Sequence, residues 1–342
     1  MGKIVAIDLF CGAGGLTRGL LDAGIDVVAG FDIDRASKKT YEYNNNVPYI
    51  NKDICSLEVE ELKSYLKGHG DKLFLLAGCA PCQPFSTRSG KRVKKDDRRI
   101  GMLKEFTRLI KEGKPDLVFM ENVPGIVSRE PQIFNEFIAM LLEEEFIFDK
   151  AVVDAKNFKV PQNRKRLVLF ASKKKITVPC PANSYDDVLT VKKTISWLPP
   201  LKPGGENKFI PNHKCIDISE LNLRRLRQTP HDGGGRLDWN DPELTPKCHR
   251  NTKGFKNSYG RLKWNEPAPT VTTRFYTYSS GRHGHPEQDR ALSLKEGALL
   301  QSFPDNYVFF GTVTEIGKQI GNAVPPRMAY WFGRHLIKHV KN

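Results

Sequence analysis

The chain is 342 residues long, 39% hydrophobic and 27% charged, which excludes a small stapled scaffold, a disordered tail and a membrane bundle. Its 54 Lys and Arg outnumber 39 Asp and Glu by 15, an excess that favours a polyanion because each neutralised phosphate releases counterions. Nucleic acid is therefore the leading partner class, set against a basic surface kept only for solubility.

No apolar stretch approaches the roughly 18 residues of a membrane helix, and the apolar start is interrupted at Asp8, so it does not read as an export signal. The expectation is a cytoplasmic monomer that touches no membrane. Seven cysteines, an odd number without an export signal, point to reduced thiols.

In chain order, Ile4 to Phe10 is an apolar, β-branched run that stops at Gly12, Gly14 and Gly15, and Leu16 to Ala23 follows with helical spacing. Val27 to Phe31 is a second strand ending in Asp32 and Asp34. Tyr49-Ile50 leads to a turn-like stop at Asp53, and Leu73 to Ala77 is a buried strand running into Gly78. Met102 to Lys111 and Ile133 to Glu145 have amphipathic spacing, with the apolar strand Leu117 to Met120 between them; Leu167 to Ala171 is a further strand. Alternating strands and helices predict an α/β fold with a mainly parallel sheet covered on both faces. After Ser172 the texture changes: Pro199-Pro200, Pro203-Gly204-Gly205 and Gly233-Gly234-Gly235 break a stretch with little periodicity. Helical patterns return at Leu292 to Gln301, Thr314 to Ile320 and Arg327 to Val340.

Glycines at a strand-to-helix turn allow a ligand close to the backbone, and ligands bind at the carboxyl ends of parallel strands. Asp32 stands 20 residues beyond Gly12, where an acid accepts from ribose hydroxyls. Thr17 occupies the place of the third glycine of a nicotinamide fingerprint, so a cofactor without a pyrophosphate, such as S-adenosylmethionine, matches better. Gly78-Cys79-Ala80-Pro81-Cys82-Gln83-Pro84 admits three readings. A redox dithiol of Cys79 and Cys82 fits poorly with Pro84, because such pairs open a helix. A zinc site lacks a second ligand pair of standard spacing, since His213, Cys215, Cys248 and His249 do not supply one. The third reading is a nucleophilic Cys82 on a rigid loop. Glu121-Asn122-Val123 follows another strand end, where Glu121 is either a solvated acid or an active-site acid. Gln162-Asn163-Arg164-Lys165-Arg166 precedes the Leu167 strand, and its arginines suit a carboxylate, phosphate or base carbonyl.

Taken together and in this order, these blocks, with Asp8 to Gly15, Asp53 and Gly321-Asn322-x-Val324-Pro325, resemble the DNA cytosine-5 methyltransferase family, over nearly the whole chain apart from about 173 to 260. Ala268-Pro269-Thr270-Val271-Thr272 matches a looser family motif. The Asn-Pro-Pro-Tyr type sequence of amino-methylating enzymes is absent, which argues against an exocyclic nitrogen as target. The resemblance implies a Rossmann-like, S-adenosylmethionine-dependent fold formed by residues 1–178 and 305–342, with a smaller, loop-rich target-recognition domain over 179–304.

The resemblance also implies roles. Cys82 would add to carbon 6 of a flipped cytosine in double-stranded DNA, with Glu121 at N3 and the exocyclic amine, and Arg166 with Arg164 holding the base carbonyl and the acid. Asp8, Phe10, Gly12, Gly14, Asp32, Ile33, Asp53, Asn322 and Ala323 would line the cofactor. The basic segment from Ser86 to Arg99 would close over the flipped base, so Gln83, Ser86, Arg88, Arg98 and Arg99 are candidate DNA contacts, joined by Arg274 in the recognition region; no metal is expected. Other Arg candidates there are Arg224, Arg225, Arg227, Arg236, Arg250 and Arg282, expected on phosphates more often than on base edges. The family's commonest use implies a restriction endonuclease acting on the same site without a stable complex. Two rivals are methylation of a tRNA cytosine, against which stands the missing Cys-Phe-Thr element, and a catalytically silent DNA-binding regulator, against which stand the intact Pro-Cys-Gln and Glu-Asn-Val.

Overall fold

The computed structural model describes residues 3–81, 101–180, 188–250 and 258–341. Backbone contacts divide the chain into two compact units, the first comprising Met1–Phe158, Lys165–Ala182 and Val324–Asn342, the second Lys159–Arg164 and Asn183–Ala323. In this division the chain returns to the first unit at Val324, whereas the sequence reading places the return at 305. Among the described residues no helix is long and apolar enough to cross a membrane.

The first unit is built on seven strands, β1 (Ile4–Leu9), β2 (Asp26–Asp32), β3 (Tyr49–Asn51), β4 (Leu73–Gly78), β5 (Leu117–Asn122), β6 (Ile147–Asp154) and β7 (Lys165–Ser172), in the order β3-β2-β1-β4-β5-β7-β6. β1 to β5 pair in parallel. β7 runs against both β5 and β6. The expected parallel, doubly covered sheet is thus observed with one reversed strand near its edge.

Strand residues alternate between faces, and the burial follows. Val5, Ile7 and Leu9 of β1 join Phe74, Leu76, Val118 and Met120 in a core with Phe106 and Phe137, which come from the helices Met102–Gly113 and Pro131–Glu143. On the alternate register, Phe119 of β5 and Phe170 of β7 pack on Phe332, with ring centroids 5.2 to 5.6 Å apart. Phe332 belongs to the C-terminal helix Pro326–His339. That helix lies close against Gly15–Ala23: a Cβ on Gly19 would stand 2.3 Å from the Pro326 carbonyl oxygen, so a side chain there would force the helices apart.

The second unit has little regular structure and is held instead by buried polar groups. Arg261 is 0% exposed and donates to the carbonyls of Leu226, Thr229, His285 and Gln288 as well as to Asp289. Arg290 and Glu296 form a buried two-pronged pair at 2.7 Å. Despite the cost of burial, the Arg290 charge and its hydrogen bonds hold Glu296 down to about 2. His213 bonds Ser293 Oγ at 3.0 Å and the Pro199 carbonyl at 2.8 Å. The carbonyls of Pro199, Leu226, Thr229, His285 and Gln288 therefore find donors that a strand or helix would otherwise provide.

Candidate active site

Within the first unit the candidate residues gather where β1, β2, β4 and β5 end. Past β1 the chain turns through Phe10 (φ 59°), Gly12 (φ 51°) and Gly14 (φ 85°). A left-handed Phe costs about 1–3 kcal/mol and marks a turn held by its surroundings. What holds it is the end of β2: Cys11 N–H donates to the Phe31 carbonyl at 3.1 Å, and Gly12 N–H donates to Asp32 Oδ2 at 2.8 Å. The other Asp32 oxygen accepts from Asp34 N–H at 2.8 Å. A Cβ on Gly12 would meet nothing within 4 Å, so the turn presents bare backbone beside open space. Ile33 follows, 65% exposed. Asp53 caps the short turn Ile54–Ser56, with Oδ1 accepting from Cys55 N–H at 3.0 Å.

Asp8 lies inside the sheet face that meets the helix Gly15–Ala23. Its Oδ2 accepts from Thr17 Oγ1 at 2.7 Å, and that hydroxyl is 2.9 Å from the Tyr41 hydroxyl. Oδ1 is buried without a hydrogen-bond partner. Burial pushes this carboxyl up to about 7; the Thr17 bond opposes the rise and the Asp32 charge adds to it. Folded Asp8 thus keeps a proton that the unfolded chain releases near pH 4, so its stabilising contribution is complete below pH 4 and vanishes as pH climbs through 7. Asp8→Asn, neutral throughout, is expected to gain on the wild type by on the order of 4 kcal/mol between those limits. Urea unfolding of both proteins at pH 5 and pH 7.5 checks this, and a pH-independent difference contradicts it.

Glu121 is the penultimate residue of β5. In the antiparallel pairing it faces Val168, and Arg166 is two residues earlier in β7, so both side chains leave the same sheet face. Arg166 Nε stands 3.0 Å from Glu121 Oε1, an ion pair without an in-line hydrogen bond, since that oxygen takes none. With Glu121 side-chain exposure at 9% and Arg166 at 14%, water screens the pair weakly. Next to Glu121, Asn122 reaches across to the loop after β4: its Nδ2 donates to the Ala80 carbonyl at 3.3 Å, and its Oδ1 accepts from Val123 N–H at 2.8 Å. The carbonyl it grips is two residues before Cys82. Sequence reasoning quoted Asn122 without giving it a task; its place directly after the strand-end acid was the available signal.

Cys79 sits on the same cluster. Burial, and after it the charges of Glu121 and Asp8, drive its thiol well above the usual range against the pull of Arg166. Cys79 is thereby held as a thiol, contrary to what an exchanging dithiol needs. Among the described residues no group of His, Cys, Asp and Glu is arranged to hold a metal. Cys82, Gln83, Ser86, Arg88, Arg98 and Arg99 lie outside the described residues.

The other candidates belong to the second unit. Arg164 is 2% exposed and directs Nη1 to the Val271 and Gly321 carbonyls, at 3.4 and 3.3 Å, and Nη2 to Ala323 O at 3.1 Å. It thus braces the end of the helix Val313–Asn322, where Asn322 is exposed and Ala323 half-buried. Gln162 bonds Leu300 O at 3.2 Å, Gln301 Oε1 at 2.8 Å and Val271 N at 2.9 Å. Arg274 is exposed. Arg225 and Arg282 bind the unit's own groups: Arg225 donates to the Leu244 carbonyl and to Asn222, Arg282 to the carbonyls of Gly233 and Gly234.

Comparison with known proteins matches residues 4–338 to the family model described as C-5 cytosine-specific DNA methylase. A Type II methylase of Herpetosiphon aurantiacus, M.HgiDII, is 40% identical over 346 residues, covering 98% of this chain and 94% of the relative. A Type II methyltransferase of Haemophilus parahaemolyticus, M1.HphI, is 32% identical over 340 residues, covering 98% and 87%. Among solved structures, a DNA modification methyltransferase encoded within an Escherichia coli prophage superposes with a TM-score of 0.77 at 24% identity, over 99% of this chain and 100% of that one. The Dnmt2 methyltransferase of S. pombe gives a TM-score of 0.68 at 16% identity over 99% of each chain. At these identities the structures speak for a shared fold.

Proposed function

The chain belongs to the family of C-5 cytosine-specific DNA methylases and is a DNA (cytosine-5)-methyltransferase, and from that premise we propose that it methylates a cytosine flipped out of a specific duplex sequence through a transient bond from Cys82. The single observation that carries this reading is the Glu121–Arg166 pair, 3.0 Å apart and nearly dry, joined through Asn122 to the backbone two residues before Cys82.

Family members are methyltransferases and as such use S-adenosylmethionine in general, and the residues present fit it. The left-handed turn at Gly12 leaves room where a Cβ would stand, and Asp32 fixes that turn. Within the first unit, Phe10, Gly12, Gly14, Asp32, Ile33 and Asp53 would hold the cofactor. When bound, it supplies a methyl group on a positively charged sulfur.

In the proposed chemistry the Cys82 thiolate adds to carbon 6 of the base, and the electron pair of the 5,6 double bond becomes available at carbon 5 to take the methyl group. About 3% of a thiol with an ordinary pKa near 8.5 is ionised at neutral pH, so cationic surroundings must favour the thiolate. Glu121 would bind N3 and the exocyclic amine, where developing charge is stabilised by a preorganised, water-poor environment. Arg166 would hold the base carbonyl while fixing the acid. A base then removes the carbon 5 proton, the double bond re-forms and the thiolate leaves. Extruding the cytosine costs a few kcal/mol, which the basic second unit would recover on the phosphates as the target-recognition domain. The Type II relatives support a modification role beside an endonuclease, in the cytoplasm.

Duplex DNA carrying 5-fluorocytosine at the target is expected to become covalently attached, because fluorine does not leave as a proton does. Denaturing electrophoresis reads the adduct, which Cys82→Ala must abolish. Turnover on ordinary DNA with no adduct on the fluorinated duplex excludes carbon 6 addition.

A further inference from the structure

A second candidate site lies on the first unit at the other end of the strands from the site described above, where the parallel strands begin. β7 finishes at Ser172, opposite Leu117, the first residue of β5. Beyond Ser172 the chain passes over the last turns of the C-terminal helix, and between them opens a cavity of about 210 Å³ lined by Lys175, Ile176, Thr177, His335, Lys338 and His339. At about 30 Å³ per water, this is space for a multi-atom ligand.

The lining of the cavity carries cationic and imidazole groups and no carboxylate; the nearby acid is Asp149 of β6, whose Oδ2 accepts from Val178 N–H at 2.7 Å. Neither 170–181 nor 326–342 contains an Asp or Glu. The charges acting on the two imidazoles are cations: Lys338 on His335, and His335 with Lys174 on His339. Burial first, and then these cations, lower the affinity of both rings for a proton. The hydrogen bonding is likewise incomplete. His339 Nε2 is 3.1 Å from Ser172 Oγ, which also accepts from Lys174 N–H. His335 bonds the Thr177 backbone and packs edge-on to Phe170, yet its Nε2 is buried without a partner.

A solvated run of lysines explains part of this pattern, and the helix dipole explains more, since cations at a helix C-terminus are stabilising. Neither explains a cavity, nor two imidazoles and two lysines lining it with no carboxylate among the lining residues. Lys173, the other cation of the run, is directed elsewhere, to the Phe146 ring and the Glu144 carbonyl.

We propose that this cavity binds a phosphate group, with Lys175 and Lys338 supplying fixed charge and His335 and His339 supplying donors that gain a proton as the anion arrives. The site would be independent of methyl transfer, because it lies at the amino ends of the parallel strands.

The test is a pH titration of the eight histidines of the full chain by long-range proton–nitrogen spectra, in phosphate and in chloride at equal ionic strength. In phosphate the midpoints of His335 and His339 are expected to rise by about one pH unit while the other six stay put. The double variant Lys175→Ala, Lys338→Ala, altered at two exposed positions, is expected to lose at least half of that rise. Equal midpoints in the two salts, a uniform shift of all eight histidines, or a full shift in the double variant each overturn the site. A further arm replaces phosphate by a short duplex without a target cytosine. A shift at lower phosphate concentration than the inorganic ion needs assigns the site to a nucleic-acid backbone, and a shift with inorganic phosphate alone assigns it to a free phosphate.

Discussion

Glu121→Gln is expected to slow methyl transfer by at least about a thousandfold while leaving cofactor affinity within a factor of about three. The substitution keeps shape and removes charge. It leaves Arg166, whose side chain is 14% exposed, without its counter-ion, and an uncompensated charge at such burial destabilises its surroundings. Its amide can still accept from the exocyclic amine and donate to N3, but it has no proton to hand to N3 and no charge to balance there as the ring becomes electron-rich. Single-turnover transfer from labelled cofactor to duplex DNA measures the first effect and calorimetric titration of the cofactor measures the second. A rate within tenfold of wild type removes Glu121 from the chemistry. A parallel loss of cofactor binding reassigns it to the architecture of the strand ends.

Arg261→Met is expected to cost the second unit more than about 4 kcal/mol, an effect reserved for the loss of a buried polar hub. Methionine fills much of the volume but leaves the carbonyls of Leu226, Thr229, His285 and Gln288 without the donor they share. Each buried carbonyl so stranded costs about 1–3 kcal/mol. Lysine is expected to restore little, because one ammonium does not span the fork of contacts a guanidinium makes. Three of the four tryptophans, Trp197, Trp239 and Trp264, lie in this unit, so their fluorescence during urea unfolding reports it directly. An unfolding midpoint close to that of the wild type contradicts the hub.

What the sequence revealed follows a physical divide. Strands buried on both faces, such as β1 and β4, stand out as unbroken apolar runs. β6 was invisible, because Ile147–Asp154 is an edge strand whose partly exposed residues mix Asp149, Lys150 and Asp154 with apolar ones. β3 shrank to a turn in the reading because three residues carry no period. The reversal of β7 was illegible for another reason: strand direction is a property of pairing, and Leu167 to Ala171 reads alike either way. In the candidate site, Glu121 and Asp32 were legible as acids at strand ends. Arg164 and Arg166 were not separable, since both look like exposed donors two residues apart. Only the structure shows one bracing backbone carbonyls and the other paired with Glu121. Arg261, Arg290 and Lys295 count toward a basic surface by composition, yet each is at most 1% exposed. Burial of a charged side chain depends on which partners tertiary folding brings, and no local pattern announces it.

The reversal of β7 has a consequence for how the protein can vary. A parallel strand would deliver its last residues to the acid, and an error in the strand could be absorbed beforehand in the preceding loop. Here the arginine comes at the beginning of the strand, immediately after the crossing from the second unit. Inserting or removing one residue between Arg166 and Val168 would turn the guanidinium to the far side of the sheet, away from Glu121, with every side chain of the segment otherwise unchanged. The spacing of this strand is therefore as much a part of the acid's environment as the arginine itself, and length changes there are expected to be as damaging as substitution.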